Sequence, residues 1–229
     1  MTSPGWLTRS LADVPAGDGW LGPGEAEFLA GLRFEKRRAD WRLGRFAAKT
    51  AVAAWLGVPS ARLEITAAPD GAPEAWLDGR LAPASLSLSH RAGLALAVVG
   101  DVGAALGCDL ELIEPRSRAF VTDWLAPAER VLVAGSGAAR RDLVANLLWT
   151  AKEAAAKSRR EGLRLDVRDA VAAPEGLDSA TPGWRRLAVT WADGSAQASG
   201  WWRAERDWVM AVTGDPPPGA PRPLDHHRG

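Results

Sequence analysis

The chain is poor in several residue types that point to particular classes of protein. Its 229 residues include one cysteine, three histidines, two methionines and no tyrosine. A single cysteine excludes an intramolecular disulfide framework. Cys108 lies in an apolar context without a basic neighbour in sequence, which predicts a small core residue rather than a nucleophile.

Long hydrophobic runs and net charge are also absent. No run approaches the roughly 18 apolar residues that read as a membrane span, and residues 1–11 lack the basic and apolar regions of a signal peptide. Lys plus Arg equals Asp plus Glu at 28 each, so no overall field attracts nucleic acid or an anionic membrane. We therefore expect a monomeric cytoplasmic protein that binds neither nucleic acid nor membranes. Such a protein recognises charged ligands through local patches.

The first informative segment is acidic and lies in an aliphatic run. Residues 107–111 read Gly-Cys-Asp-Leu-Glu within the run 104–113, which predicts a β-strand. Because side chains alternate along a strand, Asp109 and Glu111 are expected on the same side.

The second informative segment, residues 149–157, reads Trp-Thr-Ala-Lys-Glu-Ala-Ala-Ala-Lys inside a long helical stretch. Here Trp149, Glu153 and Lys157 recur at i, i+4 and i+8 and form one stripe. If the strand and the helix pack together, three carboxylates and a lysine converge. Three oxygen ligands with open positions describe a magnesium site that takes its other ligands from water and a substrate phosphate.

Each segment has an ordinary explanation when it is taken alone. Glu153 and Lys157 are compatible with an i, i+4 ion pair on a solvated face, which stabilises a helix by a few tenths of a kcal/mol. The strand carboxylates are compatible with the exposed side of an edge strand. The two segments in combination disfavour both explanations.

Together the segments resemble the signature of 4'-phosphopantetheinyl transferases, a Gly-x-Asp-x-Glu strand followed by a Trp-x-x-Lys-Glu-Ala-x-x-Lys helix. Asp109 and Glu153 are 44 positions apart (153 − 109), a separation typical of that family. The resemblance covers roughly Arg37 to Val212 and fits the longer, single-chain class. It implies an α+β fold in which two similar halves form a pseudo-dimer, each half a small antiparallel sheet packed with a long helix.

The predicted organisation follows from this resemblance and from local patterns. We expect an N-terminal half over residues 1–102, a C-terminal half over residues 103–214 and a disordered tail over residues 215–229. No internal sequence repeat is visible. One helix is predicted to start near residues 23–25 and to run to Arg38, and a second to cover residues 39–56. A third is predicted to start at Pro127 and to break at Gly135, and a fourth to cover residues 139–160 with Gly162 as the stop. Predicted strands cover residues 85–89, 94–99, 104–113, 187–191, 200–204 and 208–212, with a turn at Asp193-Gly194.

The second predicted helix carries a cationic stripe. Arg38, Arg42, Arg45 and Lys49 follow i, i+4, i+7 and i+11 on its polar side. A solvated helix back is the ordinary interpretation, but the resemblance favours the segment that holds the phosphates of coenzyme A. In that comparison Arg37 and Arg45 match most directly, with Arg38 and Lys49 as supporting candidates.

Two further segments match the family's nucleotide contacts. The turn Asp70-Gly71-Ala72-Pro73 resembles the stretch that contacts the adenine nucleotide, where the family often has Lys or Arg before the proline. Ala72 stands there in this sequence, so part of the usual phosphate contact is expected to be absent or moved. Ser89-His90 matches a Ser-His pair that binds the nucleotide phosphates.

The activity implied is transfer of the 4'-phosphopantetheine arm from coenzyme A to a serine of an apo-carrier protein (acyl, peptidyl or aryl), with release of 3',5'-ADP. Asp109, Glu111 and Glu153 are the expected ligands of Mg²⁺, with Mn²⁺ as an alternative ion. By the same resemblance Glu153 takes the serine proton, directly or through a metal-bound water, and Lys157 stabilises or protonates the departing 3',5'-ADP. Lys152 is expected to contact phosphate.

The resemblance also implies an acidic carrier as partner, from fatty-acid, polyketide, nonribosomal-peptide or siderophore synthesis. Flanking arginines are the candidates for docking it: Arg116, Arg118, Arg159, Arg160 and Arg164. Two other functions stay open, a magnesium-dependent hydrolase of the coenzyme A pyrophosphate and a non-catalytic module that binds coenzyme A or a carrier. The standard hydrolase signatures are missing, and the intact set of three carboxylates and Lys157 argues against a binding-only protein.

Overall fold

The computed structural model describes residues 2–160, 166–179, 181–191, 194 and 197–224. The helices are α1 (Pro23–Gly31), α2 (Glu35–Leu56), α3 (Arg118–Trp124), α4 (Pro127–Gly135) and α5 (Ala138–Arg159). The strands are β1 (Gly5–Ser10), β2 (Leu63–Ala67), β3 (Pro73–Leu77), β4 (Arg80–Leu81), β5 (Ala84–Arg91), β6 (Leu94–Asp101), β7 (Ala105–Leu112), β8 (Ala170–Pro174), β9 (Arg185–Trp191), β10 (Gln197–Glu205), β11 (Trp208–Asp215) and β12 (Arg222–Pro223). This confirms the α+β class.

Two sheets, each covered by a long helix, form the body of the molecule. The first has the order β12-β1-β6-β5 and packs against α2; the second has the order β7-β11-β10-β9-β8 and packs against α5. Strand pairs are antiparallel except β1 with β12. A smaller sheet, β2-β3-β4, lies beside α2 and β5. Within the described residues no helix is long and apolar enough to span a membrane.

Side-chain alternation divides the interior into three apolar clusters. On β6, Ala95, Ala97 and Val99 join the cluster under α2, whereas Leu96 and Val98 point the other way. The alternate residues meet Cys108 and Leu110 of β7, so the first and second sheets pack face to face. The remaining face of β7, with Asp109 and Glu111, is turned toward α5, as the period of two predicts.

Gly107 lets β7 and α5 approach through their backbones. A Cβ atom at this position would lie 1.9 Å from the carbonyl oxygen of Ala154 and 2.4 Å from the amide nitrogen of Ser158. Only glycine fits this contact without displacing the helix. The close approach brings the stripe of Glu153 and Lys157 against the acidic face of the strand.

The same kind of buried ion pair occurs twice in the described residues. Lys49 of α2 donates to Glu25 (2.8 Å) and to the carbonyl oxygen of Trp20 (2.9 Å), and we call this pair the first clamp. Lys152 of α5 lies 2.8 Å from Glu129 and donates to the carbonyl oxygen of Trp124 (2.9 Å), and we call this pair the second clamp.

The glutamates of the clamps also make matching backbone contacts. Glu25 accepts the amides of Gly22 (2.8 Å) and Ile65 (3.0 Å). Glu129 accepts the amides of Ala126 (2.7 Å) and Ala172 (2.8 Å).

The clamps reveal an internal repeat that sequence inspection missed. Residues 20–25 and 124–129 share Trp-Leu-x-Pro-x-Glu at an offset of 104 positions (129 − 25). The pseudo-dimer remains a prediction, and this repeat supports it.

The boundary between the first two helices differs from the prediction. We expected the first helix to run to Arg38 and the second to begin at Ala39, whereas α1 ends at Gly31 and α2 begins at Glu35. The Arg38 side chain donates to the carbonyl oxygens of Leu29 (2.6 Å) and Leu32 (3.3 Å), which satisfies the end of α1 and lets the chain turn there.

Both ends of the chain are more ordered than expected. Strand β1 was not predicted, yet its paired partner β6 runs beside it over its full length. The predicted disordered tail is wrong for residues 215–224, because Asp215 ends β11 and β12 pairs with β1, with the Leu224 amide donating to the carbonyl oxygen of Trp6 (2.8 Å). Residues 225–229, Gly162 and Asp193 lie outside the described residues.

Candidate active site

Asp109 is the centre of the site, and its two oxygens have different surroundings. Oδ1 accepts the Ser89 hydroxyl and the Lys157 ammonium, each at 2.7 Å. Oδ2 is buried and has no hydrogen-bond partner among the described residues. The residue is 5% exposed, so one carboxylate oxygen is fixed by the protein while the other remains available to a further ligand.

Asp109 raises the pKa of both Glu153 and Lys157, which lie one helical turn apart, and so disfavours the charge of the glutamate and favours that of the lysine. Burial raises the pKa of Glu153, and repulsion from Asp109 and Glu111 raises it further against the opposing effect of Lys157. Burial alone would lower the pKa of Lys157, but Asp109 outweighs it, so the net pKa is raised and the ammonium is retained. Glu153 is therefore close enough to Asp109 and Glu111 to be repelled by both, and Lys157 partly offsets this repulsion.

Glu111 is held by cations on the outer side of this group. Its Oε2 lies 3.0 Å from Arg116 Nη2 and 3.4 Å from Arg91 Nε, and its Oε1 accepts Trp149 Nε1 at 3.3 Å. Asn146 in turn accepts Arg116 Nε at 2.6 Å. Arg116, a predicted docking residue, thus belongs to the carboxylate group.

The carboxylate group has some of the features of a site for a divalent cation. Among the described residues, no group of three or more His, Cys, Asp or Glu side chains is arranged to hold a metal ion. Lys157 and Arg116 engage oxygens of Asp109 and Glu111. The buried, unpartnered Oδ2 of Asp109 and the repelled carboxylate of Glu153 nevertheless supply the oxygen donors that Mg²⁺ prefers. The donor chemistry of these two residues fits the ion, whereas Glu111 is bonded to Arg116.

A cavity of about 410 Å³ has His90 in its wall, the residue that follows Ser89 on β5 and that is near enough to Lys157 to be affected by its charge. The rings of Phe28 and Trp41 stack in its wall with centroids 5.4 Å apart. Burial lowers the pKa of His90, opposed by Asp40 and assisted by Lys157 and Lys36, so the imidazole is neutral near pH 7. The wall is formed by Phe28, Phe34, Lys36, Arg37, Asp40, Trp41 and His90.

The predicted phosphate-binding cations fall into two groups. Arg37 lines the cavity, and the Arg45 guanidinium lies 4.9 Å from the centre of the Trp41 ring, where burial lowers its pKa against the opposing charge of Glu25. The others are engaged within the fold: Arg38 holds the end of α1, and Lys49 and Lys152 are the buried cations of the two clamps. The structure does not bring these last three to the site.

The predicted nucleotide loop is joined to the end of α5. Asp70 accepts Arg160 Nε at 2.8 Å and Nη2 at 3.1 Å, and also the amide of Ala72 at 3.1 Å. The Arg160 contact is the largest cause of a lowered pKa for Asp70. Gly71 has φ +85°, a left-handed conformation, and Pro73 begins β3. The loop 70–73 therefore lies just beyond Lys157, and its contact with a nucleotide stays a prediction.

Two of the other arginines predicted for carrier docking have described positions. Arg118 is exposed on α3, and the Arg159 guanidinium lies 5.2 Å from the centre of the Trp191 ring. Arg164 lies outside the described residues. Docking by these residues stays a prediction.

Sequence reasoning missed the aromatic wall of the cavity. Lys36, Asp40, Arg37 and Trp41 form two i, i+4 pairs in the first turns of α2, a spacing that places them on one side of a helix. The pattern was hidden because the helix was predicted to begin only at Ala39.

Residues 105–213 match the family model of the 4'-phosphopantetheinyl transferase superfamily. This segment of the chain belongs to that superfamily. The match runs from the first residue of β7 into β11, so it includes Asp109, Glu111, Glu153 and Lys157. No curated protein matches the chain. The match confirms the family predicted from the two signature segments and supports phosphopantetheine transfer as the general activity.

Proposed function

We propose that this chain is a magnesium-dependent enzyme that transfers 4'-phosphopantetheine from coenzyme A to a serine of an apo-carrier protein and releases 3',5'-ADP. The observation that carries the proposal is the position of the Asp109–Lys157 pair beside a cationic, aromatic cavity. The link between the two is the Ser89-His90 dipeptide, because Ser89 bonds to Asp109 and His90 lines the cavity.

The cavity suits the nucleotide end of coenzyme A. Aromatic faces at Phe28 and Trp41 offer a surface for a purine, and the Arg37 guanidinium is a donor for phosphate. A neutral His90 imidazole can donate one hydrogen bond to a phosphate oxygen without adding charge.

Asp109 and Glu153, together with Glu111, would hold Mg²⁺ or Mn²⁺. When bound, such an ion would offset the negative charge of the coenzyme A pyrophosphate and of the group that leaves.

The residues of this chain account for the proton and the leaving group. The carrier serine oxygen forms a bond to the phosphorus that bears the pantetheine arm, and the bond from that phosphorus to the bridging oxygen breaks. The electron pair goes to the oxygen that remains on 3',5'-ADP, where the Lys157 ammonium stabilises it. Glu153 accepts the serine proton, as a carboxylate one helical turn from that lysine. Phosphoryl transfer depends mainly on such positioning and charge stabilisation.

Mass spectrometry of intact apo-carrier proteins tests the proposal. A panel with carriers from fatty-acid, polyketide, nonribosomal-peptide and siderophore synthesis is incubated with the full chain, coenzyme A and Mg²⁺. We expect at least one carrier to gain a single phosphopantetheine, with an equal amount of 3',5'-ADP, and no gain when EDTA is present. Cleavage of coenzyme A without carrier modification would instead identify a hydrolase, and binding without cleavage would identify a binding module.

A further inference from the structure

We propose that Lys152 is a positioning residue: the second clamp fixes α5 so that the neighbouring Glu153 faces Asp109. This inference rests on the proposed function and replaces the predicted phosphate contact of Lys152. It assigns a similar role to Glu129, which the sequence did not single out.

The burial of the second clamp rules Lys152 out as an open phosphate ligand. The side chains of Lys152 and Glu129 are 0% and 1% exposed. Lys152 is bonded to Glu129 and to the Trp124 carbonyl, and Glu129 is bonded to two backbone amides as well. Turning the lysine outward would leave a buried glutamate without its cation, which is strongly unfavourable.

The clamp is one of two fixed points that flank Glu153 in sequence. On one side, Lys152 is tied to the α3–α4 turn through Trp124 and Glu129. On the other, the carbonyl of Ala154 lies against Gly107 of β7, where no side chain separates helix and strand. Rotation or sliding of α5 would break at least one of these contacts, so the Glu153 carboxylate is held at a set position opposite Asp109.

The first clamp is an internal control supplied by the chain itself. It has the same ion pair, the same carbonyl contact and the same pair of amide contacts, with similar burial. The residue after Lys49 is Thr50, whose hydroxyl bonds to the Phe46 carbonyl within α2 (2.7 Å). The clamp is therefore a general device of this fold, and only its second copy lies next to a carboxylate of the site.

Two matched double variants of the full chain separate positioning from stability. Glu129→Gln/Lys152→Met removes the second clamp, and Glu25→Gln/Lys49→Met removes the first. Thermal unfolding gives the Tm of each, electron paramagnetic resonance of free Mn²⁺ gives metal affinity, and carrier modification gives kcat. We expect both variants to lose Tm by a similar amount, but only the second-clamp variant to lose Mn²⁺ affinity and kcat, each by about tenfold or more at a temperature where both are folded.

Two results would overturn the inference. Wild-type Mn²⁺ affinity and kcat in the second-clamp variant would show that this clamp only stabilises the fold. A weaker affinity for 3',5'-ADP, measured without metal while Mn²⁺ affinity is unchanged, would show that Lys152 contacts phosphate. If either double variant fails to fold, Lys152→Arg and Lys49→Arg keep the charge while changing its geometry, and the same contrast is expected.

Failure of the proposed function gives a different result from failure of this inference. If no carrier is modified by the wild-type chain, the proposed function fails, whereas the contrast in Mn²⁺ affinity between the two variants still decides the positioning role.

Discussion

The Lys157 ammonium lies 2.7 Å from Oδ1 of Asp109 and joins the end of α5 to the middle of β7. This contact uses one oxygen of the carboxylate and leaves Oδ2 buried without a partner in the described part of the chain. The pair therefore combines a fixed cation with an available anionic oxygen in one place, an arrangement that suits the proposed cleavage of a pyrophosphate.

Replacing Asp109 with asparagine keeps the shape of the side chain and removes its charge. We expect the rate of carrier modification to fall by about 10²-fold or more, because the anionic oxygen and the ion pair with Lys157 are both lost. Ser89→Ala is the control, since it removes one hydrogen bond to Asp109 and leaves the charge, and its effect should be near tenfold or less. A loss in Asp109→Asn no larger than that in Ser89→Ala, and within about tenfold, would show that the charge is not essential.

Two adjacent arginines on α2 should give opposite results when each is changed to alanine. Arg37→Ala should raise the KM for coenzyme A by about tenfold while Tm is unchanged, because Arg37 lines the cavity and is exposed. Arg38→Ala should lower Tm while KM is unchanged, because its guanidinium holds two carbonyl oxygens at the end of α1. Steady-state kinetics and thermal unfolding measure both quantities, and the reverse pattern would place the phosphate site elsewhere.

Gly107→Ala should separate α5 from β7. The new Cβ would overlap backbone atoms of Ala154 and Ser158, which cannot move independently of the helix. We expect a loss of about 3 kcal/mol or more in the free energy of unfolding, together with the loss of carrier modification.

The control for this change is Gly44→Ala in α2. A Cβ there would meet no atom within 4 Å, so this variant should gain up to about 1 kcal/mol from its higher helix propensity. Denaturant unfolding measures both changes. Equal stability of the two variants would contradict the close approach at Gly107.

The thiol of Cys108 should be inert in the folded protein. Burial raises its pKa to about 12 from 9.0, so the reactive thiolate is disfavoured in the folded chain and forms more readily in the unfolded one. Labelling with a disulfide reagent at pH 8 should therefore proceed at the rate of unfolding and accelerate in denaturant. As the pH rises from about 9 toward about 12, this group should progressively favour unfolding. Rapid labelling of the native protein at pH 8 would contradict the position of Cys108 between the two sheets.

The parts of the site that depend on local periodicity could be predicted from the sequence. Alternation along β7 places the side chains of Asp109 and Cys108 on opposite faces of the strand. The helical stripe on α5 places Glu153 one turn before Lys157. Both follow from the geometry of a single element, so a short stretch of sequence contains all the information needed.

The partners of the other cations could not be predicted because they lie far away in sequence. Lys49 bonds to Glu25 and Lys152 pairs with Glu129, over separations of 24 and 23 positions (152 − 129). Each pair depends on the packing of two helices and a strand. The local sequence around a lysine or arginine that pairs with a buried carboxylate does not differ from that around one that binds a phosphate. The aromatic wall of the cavity was missed for a different reason. Helix α2 begins four residues earlier than predicted (39 − 35), so residues 35–38 were assigned to the preceding helix.

Glu153, as part of the carboxylate group with Asp109, is proposed to take part in the transfer. The most direct test is the rate at which the Glu153→Gln variant modifies an apo-carrier that the wild-type chain modifies, followed by intact-mass spectrometry. Glu27→Gln is the control, a change from carboxylate to amide at an exposed position on α1. We predict that Glu153→Gln gives no detectable phosphopantetheine on the carrier although its Tm shows that it is folded, while Glu27→Gln works at the wild-type rate. Modification by Glu153→Gln at the wild-type rate would contradict the account.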